Sequence, residues 1–475
     1  MFPKKRLTRE LTHGAMALAA FAAASAAVII TSPAMAKDKK PEAAAPTGPK
    51  ITPSKTFFPL AQKFQKALDE LKKRPEVVAA QQNFAAATNA YNAATTSAAR
   101  KDAMAQREAA SAALAATVTA ERAQLDAVNA GAVTPDDKFY AAQFLAQLGS
   151  VMQDKKVVRA GYLGMIATGK MAATEVPKYE SIIGLYCYQD KDYACAREHL
   201  PLAIAGGVRD ENNELLLADS YFKENMTPQG VDIVLKAIAD RKAAKLPYGP
   251  EWYGTPLNAA FKAKLLPESI SVSQAMVADF PTTENWRSAI RVLRWLEKYP
   301  PQEMLDLLRL MKRTQTFEDA TDYNEYVENA DKLRFPSEVT EVINIGVKAG
   351  KLDAAGDISI HDYLTAARAH DAEDRAGMAA MEARANAPTA TYAVINAAAD
   401  VLQSYGFHAK AEALFNLALT KPGADTPRLL TRIGVAQLDQ GKFADAQATF
   451  AKVSGPRQPL AQLLSIYTAQ KAKGG

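Results

Sequence analysis

The chain has 475 residues, of which 48% are hydrophobic, 23% are charged and 8% are aromatic. This length exceeds what one compact core of ordinary size accommodates, so it indicates several domains or an elongated array. The formal net charge is +5, and the basic residues before residue 37 supply most of it. The nearly neutral remainder argues against nucleic-acid binding through charge. Long alternating runs of β-branched residues are missing, which disfavours an all-β fold.

Residues 1–36 have the three parts of a secretory signal peptide. A basic start precedes an uncharged, Ala-rich stretch at 14–30, and Ala34-Met35-Ala36 forms a small-x-small cleavage site. We therefore expect cleavage after Ala36 and a bacterial periplasmic location, with an uncleaved anchor as the alternative. No later stretch approaches the roughly 18 apolar residues of a membrane span, so we expect no integral span in the mature chain.

Two further segments precede the main part of the chain. Residues 37–53 are rich in Pro, Ala and Lys, which predicts a disordered linker. Residues 54–131 are rich in Ala and predict a helical hairpin or coiled coil, because small side chains let helices approach closely. This region either joins copies of the chain into a homo-oligomer or caps the next domain. Its first apolar stripe consists of Leu60, Phe64, Leu68 and Leu71.

An internal repeat dominates the rest of the sequence. Gly406 aligns with Gly441 and Phe415 aligns with Phe450, each pair 35 residues apart. Two antiparallel helices that pack tightly need a small residue at their crossing, here Gly434. The spacing of glycine, alanine and aromatic residues resembles that of the tetratricopeptide repeat (TPR), and the central composition resembles that of uncharacterised exported TPR proteins of proteobacteria.

The resemblance implies an all-α fold, a solenoid of TPR-like helical hairpins. We interpret the aromatic segment 247–256 as a connection between two arrays, with a binding lid as the alternative. Trp286 and Trp295 are predicted to be core residues. The expected divisions after the Ala-rich helices are a TPR-like array at 132–245, degenerate helical repeats at 246–386 and C-terminal TPR units at 387–475.

The sequence contains no convincing catalytic motif. No pair among the five histidines has the i, i+4 spacing of a helical zinc site, so we expect neither a metal nor a cofactor. The segment 164–171 resembles a phosphate-binding loop but has Met171 where that motif needs Ser or Thr. We therefore predict that the protein is not an enzyme. The alternative is a helical subunit of an envelope enzyme.

Cys187 and Cys195 are the only two cysteines of the chain. In the TPR register they lie near the end of one helix and the start of its partner. Export and an even number of cysteines allow a disulfide between them, although a helix crossing need not bring their Cβ atoms within reach. The alternative is a pair of small buried thiols at a helix crossing.

The resemblance also implies a groove, lined by the first helix of each hairpin, that binds a peptide or a partner helix. We predict a non-enzymatic periplasmic scaffold or adaptor that binds a protein or peptide of the cell envelope. A periplasmic peptide- or glycan-binding protein is the alternative. The residues at the groove-facing register are Lys178, Ser181, Tyr188, Gln189, Asn212, Asp219, Phe222 and Lys223 in the early units, and Asn396, Asp400, Gln403, Arg428 and Asp439 in the late units.

Overall fold

The structure, a computed structural model, describes residues 51–474. The predicted signal peptide (1–36) and most of the predicted linker (37–50) lie outside the described residues. Twenty-two α-helices and one 3-10 turn form the regular structure of the described part, and no strand occurs in it. Successive helices pack as hairpins, which confirms the predicted all-α fold.

The described residues form two compact units. The N-terminal unit ends at Ala239 and the C-terminal unit begins at Asp240. This boundary lies near residue 245, where the first repeat array is predicted to end. The helices that begin in the N-terminal unit are α1 (Phe58–Leu71), α2 (Pro75–Ala93), α3 (Ser97–Ala116), α4 (Thr119–Gly131), α5 (Pro135–Val151), α6 (Lys155–Ala167), α7 (Val176–Gln189), α8 (Tyr193–Ala205), α9 (Glu211–Lys223) and α10 (Thr227–Ala243).

The C-terminal unit contains the remaining helices, and its last helix follows a short 3-10 turn at Gly455–Arg457. None of the helices within the described residues has the length and apolar composition that crossing a bilayer requires. The helices of this unit are α11 (Glu251–Lys262), α12 (Leu266–Asp279), α13 (Thr283–Leu296), α14 (Pro301–Thr314), α15 (Ala320–Ala330), α16 (Pro336–Lys348), α17 (Ile358–Ala385), α18 (Tyr392–Ser404), α19 (His408–Leu419), α20 (Thr426–Asp439), α21 (Phe443–Phe450) and α22 (Gln458–Ala472).

Asp and Thr residues begin many of these helices, because their side chains accept hydrogen bonds from N–H groups that the first turn leaves unpaired. Thr134 and Asp137 form a capping box at the start of α5, in which each side chain accepts a 3.1 Å bond from the backbone N–H of the other residue. Asp192 caps α8 and Asp210 caps α9, each by accepting a hydrogen bond from a backbone N–H of the first turn. These caps set where the hairpins begin.

The Ala-rich region forms four helices rather than a single hairpin. The second and third of them, α2 and α3, make an antiparallel pair, while α1 packs against α4 and α5. Phe64 and Leu68 are buried in a core that also contains Phe144 of α5, with the rings of Phe64 and Phe144 5.2 Å apart. This packing favours the interpretation of a helical cap on the next domain. Self-association through 54–131 stays a prediction.

The end of the predicted linker is bound to α5. The backbone N–H of Thr52 donates a 3.0 Å hydrogen bond to Asp136, and that of Ser54 donates a 2.7 Å bond to Asp137. Residues 51–53 therefore differ from the disordered linker predicted for 37–53. The two carboxylates at the start of α5 fix this segment through its backbone, a contact that side-chain composition does not reveal.

Small residues lie where the two helices of a hairpin cross. A Cβ atom on Gly161 of α6 would approach the backbone of Ala146 on α5 to 2.5 Å, and one on Gly184 of α7 would approach the side chain of Leu200 on α8 to 2.6 Å. In the last hairpin a Cβ atom on Gly434 would meet the buried ring of Phe450, as the repeat pattern predicts.

The aligned glycines occupy the same place in two successive hairpins. Gly406 follows α18 with a φ of 81° and Gly441 follows α20 with a φ of 74°. This left-handed conformation ends the first helix of each hairpin, and glycine adopts it without a steric penalty. In the N-terminal unit the equivalent position is taken by Lys191 and Asn225, with φ of 63° and 60°. The same turn geometry therefore occurs at positions where the residue is not glycine.

Within the C-terminal unit the last helix packs against the early helices of the same unit. Gln274 of α12 donates a 2.9 Å hydrogen bond to Gln462 of α22. The indole N–H of Trp286 donates a 3.2 Å bond to Gln470, also on α22. One hydrophobic core of this unit extends from Val277 through the middle helices to α22. The segments predicted as 246–386 and 387–475 are thus parts of one compact unit.

Two predictions about aromatic residues need correction. Trp286 is buried as expected, but Trp295 is 68% exposed. Nine residues are about two and a half helical turns, so the two indoles project from opposite sides of α13. Trp252 and Tyr253, predicted to lie in a connecting loop, are buried on α11. The Arg241 guanidinium lies 4.8 Å from the centre of the Trp252 ring.

Candidate functional site

The early groove residues lie on α7 and α9, the first helices of two neighbouring hairpins. The Tyr188 hydroxyl donates a hydrogen bond to Asp219, and the Ser181 hydroxyl donates a 2.8 Å bond to Asn213. Burial raises the pKa of Tyr188, and the bond to Asp219 raises it further, so the phenol remains a hydrogen-bond donor. These two bonds hold the faces of α7 and α9 side by side.

Four of the predicted residues remain exposed on this surface, which we call the α7–α9 face: Lys178, Gln189, Asn212 and Lys223. The Lys178 and Lys223 side chains are 57% and 50% exposed. Lys178 forms a 2.9 Å ion pair with Glu175, and Lys223 lies 3.4 Å from Asp219. Exposed pairs of this kind contribute little to stability. The lysines are therefore available to an external ligand.

Phe222 does not belong to the α7–α9 face. Its ring packs where a Cβ atom on Gly230 of α10 would stand, 2.4 Å from the nearest ring carbon. The side chain thus fills the space between α9 and α10 within one hairpin. This corrects the groove-facing register assigned to Phe222, because the repeat spacing identifies a helix position but does not determine which neighbour it contacts.

Cys187 and Cys195 are joined by a disulfide with Cα atoms 5.7 Å apart. The bond links the last turn of α7 to the first turn of α8, across the turn that contains Asp192. Arg159 of α6 lies beside it, with Nη1 3.0 Å from the Cys187 sulfur and 3.8 Å from Asp192. The bridge therefore closes the short turn of the hairpin that supplies half of the α7–α9 face.

The late groove residues occupy the interior of the C-terminal unit. Asn396 and Asp400 of α18 are 6% and 2% exposed. The Asn396 amide donates a 3.3 Å hydrogen bond to Asp400, and Arg428 of α20 donates a 2.6 Å bond to the same carboxylate. These three residues bind one another, which corrects their assignment to a partner-binding groove. Packing of α18 and α20 within one core removes them from the solvent.

Asp439 and Gln403 lie nearer the surface but also have partners in the unit. Arg313 of α14 donates two hydrogen bonds, of 2.6 and 2.8 Å, to the Asp439 carboxylate. The Gln403 amide donates a 3.2 Å bond to the same group. Burial lowers the pKa of Arg313, but Asp439 more than compensates and raises it. This contact connects α14 to α20, which are far apart in sequence.

Sequence reasoning missed the ionic cluster beneath these residues, which we call the arginine network. Asp306 of α14 lies 3.1, 3.0 and 2.8 Å from Arg309, Arg432 and Arg457. Arg309 also pairs with Glu338, 29 residues away in sequence, and Lys312 pairs with Glu341 at the same separation. Opposite charges at that spacing were the available signal. The network consists of Arg309, Arg334, Arg428, Arg432 and Arg457 with Glu303, Asp306, Glu338 and Asp400.

The network shifts the pKa values of its members. Burial alone would raise the pKa of Asp306, but the guanidiniums of Arg432, Arg309 and Arg457 lower it to about 2. The carboxylate is therefore charged at neutral pH. Burial lowers the pKa of Arg432, and the positive charges of Arg309 and Arg428 lower it further.

A cavity of about 260 Å³ opens above the arginine network. Its floor includes Arg309, Glu338 and Arg432, whose side chains are 14%, 8% and 2% exposed. Its rim includes Lys312 and His408, whose side chains are 25% and 29% exposed. The lining therefore combines charged groups at the bottom with an opening that solvent reaches.

Comparison with known proteins identifies no family by sequence. No family model matches the chain, and no curated protein matches it. The complex of yeast Sti1 TPR2AB with pHSP90 is 14% identical over 63% of this chain and 96% of that chain, with a TM-score of 0.22. Naa15/Naa10 bound to HypK-THB is 13% identical over 86% and 70%, with a TM-score of 0.34.

The pentatricopeptide repeat protein PPR10, in complex with an 18-nucleotide psaJ RNA element, is 14% identical over 86% of this chain and 67% of that chain, with a TM-score of 0.25. All three structures are similar to this chain as helical-repeat proteins. With identities this low and TM-scores below 0.5, the likeness concerns helical repeats alone. The α7–α9 face and the cavity are therefore interpreted from their geometry in this protein alone.

Proposed function

We propose that the protein is an exported, non-enzymatic helical-repeat adaptor that binds a peptide segment of a cell-envelope protein on the α7–α9 face. The proposal rests on the hydrogen bonds that hold the two helices of this face side by side. Tyr188 with Asp219, and Ser181 with Asn213, join the first helices of two hairpins. Because these bonds fix the two helices before a ligand arrives, the face loses little conformational freedom on binding, which favours affinity.

The chemistry of the face defines the ligand. Lys178 and Lys223 supply two exposed ammonium groups, while Gln189 and Asn212 supply amides. Amides pair with the backbone of an extended peptide, and ammonium groups attract carboxylates. The ligand is therefore an extended segment with at least one acidic side chain. Export and the periplasmic location rest on the signal-peptide pattern, and the absence of catalysis rests on the lack of motifs.

The alternative of a glycan-binding protein loses its main support. The alternative of a peptide- or glycan-binding protein makes the aromatic residues of 247–256 part of the binding site, and Trp252 and Tyr253 of that segment are 1% and 0% exposed. Buried rings with these exposures have no free surface on which a sugar can stack. A peptide on the α7–α9 face binds residues that are already exposed.

The test is capture of partners from cross-linked cell envelopes with residues 37–475 as bait, followed by mapping of the bound segment with synthetic peptides. The informative variant is K178E/K223E, because both lysines are exposed and their replacement leaves the core intact. K63E/K101E is the matched control, since it makes the same charge change at exposed positions on α1 and α3.

We expect one dominant envelope protein with the wild type and the control, and at least a tenfold weaker peptide affinity with K178E/K223E. Equal affinity of all three proteins for the peptide would place binding elsewhere. Turnover of an envelope substrate by the purified chain would instead refute the non-enzymatic assignment.

A further inference from the structure

The arginine network contains more positive than negative groups. Its ion pairs join five guanidiniums to four carboxylates in one connected cluster. The neighbouring pairs of Arg313 with Asp439 and of Lys312 with Glu341 are each balanced. The fifth guanidinium, that of Arg334, is 43% exposed and is solvated, so the remaining members pair four guanidiniums with four carboxylates.

Arg432 is the member with the weakest partners. Its side chain is 2% exposed, and its Nη2 and Nη1 atoms lie 3.0 and 3.3 Å from Asp306 and Asp400. Neither contact has hydrogen-bond geometry, and none of the three guanidinium nitrogens has an acceptor among the described residues. Asp306 and Asp400 are instead bonded to Arg457 and Arg428. The donors of Arg432 are therefore free to bind a further acceptor.

The cavity lies where such an acceptor can reach these donors. Arg432 lines it, and so do Gln403 and His408, whose Oε1 and Nδ1 atoms have no hydrogen-bond partner within residues 51–474. The cavity has a volume of about 260 Å³. A small organic ion fits this space, whereas a folded segment does not.

We propose that this cavity is a binding site for a small oxyanion, a carboxylate or phosphate group on a molecule of a few heavy atoms, held by the Arg432 guanidinium. A planar guanidinium with free N–H groups matches the two oxygens of such a group. The anion accepts hydrogen bonds from the unused donors of Arg432, and His408 at the rim contacts its outer end. The site lies within the C-terminal unit and is independent of the peptide proposed for the α7–α9 face.

The test measures thermal unfolding and calorimetric binding of residues 37–475 at pH 7 with phosphate, succinate and acetate as separate probes. Chloride at the same ionic strength corrects for general salt effects. Comparison of phosphate with succinate distinguishes the two oxyanion chemistries, and acetate shows whether one carboxylate suffices. We expect a saturable rise in the unfolding temperature with phosphate or succinate, and one site per chain.

Three variants assign the binding to the cavity. R432K keeps the charge but loses the planar fork, and we expect at least a tenfold weaker affinity. H408A changes the exposed rim, and we expect a several-fold weaker affinity. K452M removes an exposed charge outside the cavity and leaves the affinity unchanged.

A wild-type protein that responds to none of the anions beyond the chloride effect overturns the proposal, since a cavity filled by water gives no saturable response. Equal affinity of R432K and wild type overturns it as well. If R432K does not fold, H408A decides, and an unchanged affinity in that variant rejects the site.

Discussion

Gly434 tests the close packing of the last hairpin. A Cβ atom at this position of α20 would lie 2.4, 2.7 and 2.8 Å from three ring carbons of Phe450, which is 2% exposed. Overpacking of a buried site costs about 1–3 kcal/mol, while alanine gains about 1 kcal/mol over glycine inside a helix. We therefore expect G434A to lower the free energy of unfolding by about 1 kcal/mol.

Gly377 supplies the matched control in the same unit. It lies on the exposed surface of α17, and no neighbouring atom comes within 4 Å of the position of its Cβ atom. The same substitution, G377A, therefore gains helix propensity without a steric penalty. We expect it to raise the free energy of unfolding by about 1 kcal/mol. The two variants thus differ in sign although the chemical change is identical.

Urea and thermal unfolding, followed by far-UV circular dichroism on residues 37–475, measure both effects. A change of 1 kcal/mol shifts the midpoint of a unit of this size by about 2–4 °C. Because the two units need not unfold together, the G377A shift identifies the transition of the C-terminal unit. If G434A stabilises that transition as much as G377A does, the close contact of α20 with Phe450 is refuted.

Two further predictions concern pH and the disulfide. The pKa of Asp306 is lowered from its ordinary value of 3.8 to about 2, so its contribution of about 2 kcal/mol is present above pH 4 and is lost as the pH falls to 2. Urea midpoints across this range should fall in the wild type, and D306N should lose that part of the slope and be destabilised by about 3–5 kcal/mol at pH 7. Reduction of the Cys187–Cys195 bond should destabilise the N-terminal unit by about 2–3 kcal/mol, measured as a lower unfolding midpoint in dithiothreitol. C187S/C195S should show no response to the reductant, and a wild type that is equally unresponsive contradicts the stabilising role.

The local pattern of the sequence predicted the helices and their pairing. Glycine at the crossing point, as at Gly434, and glycine after the first helix, as at Gly406 and Gly441, each satisfy a condition imposed by one hairpin alone. Such conditions depend on residues fewer than 20 positions apart, so they are visible as a repeat. The position of the cysteines at the hairpin turn followed from the same register.

The candidate site was less accessible to this reasoning. The register placed Tyr188 and Asp219 on adjacent helices, where they form a hydrogen bond. It also assigned Phe222 and Asp400 to a groove, whereas both side chains pack against other parts of their own unit. Phe222 contacts its own hairpin partner, and Asp400 lies in the interior of its unit. A repeat register identifies the helix face of a residue. It does not identify what lies opposite that face.

By itself the sequence determined the all-α class, the hairpin as the repeated element and the turns between helices, because short-range sterics and apolar periodicity act within each hairpin. Only the tertiary structure decided that α22 packs against α12 and α13 in the C-terminal unit. It also decided that Arg313, Arg432 and Arg457 form ion pairs with acids more than 90 positions away in sequence. The physical reason is that burial makes an ion pair strong only once distant helices exclude water from it, and that exclusion is a property of the assembled core.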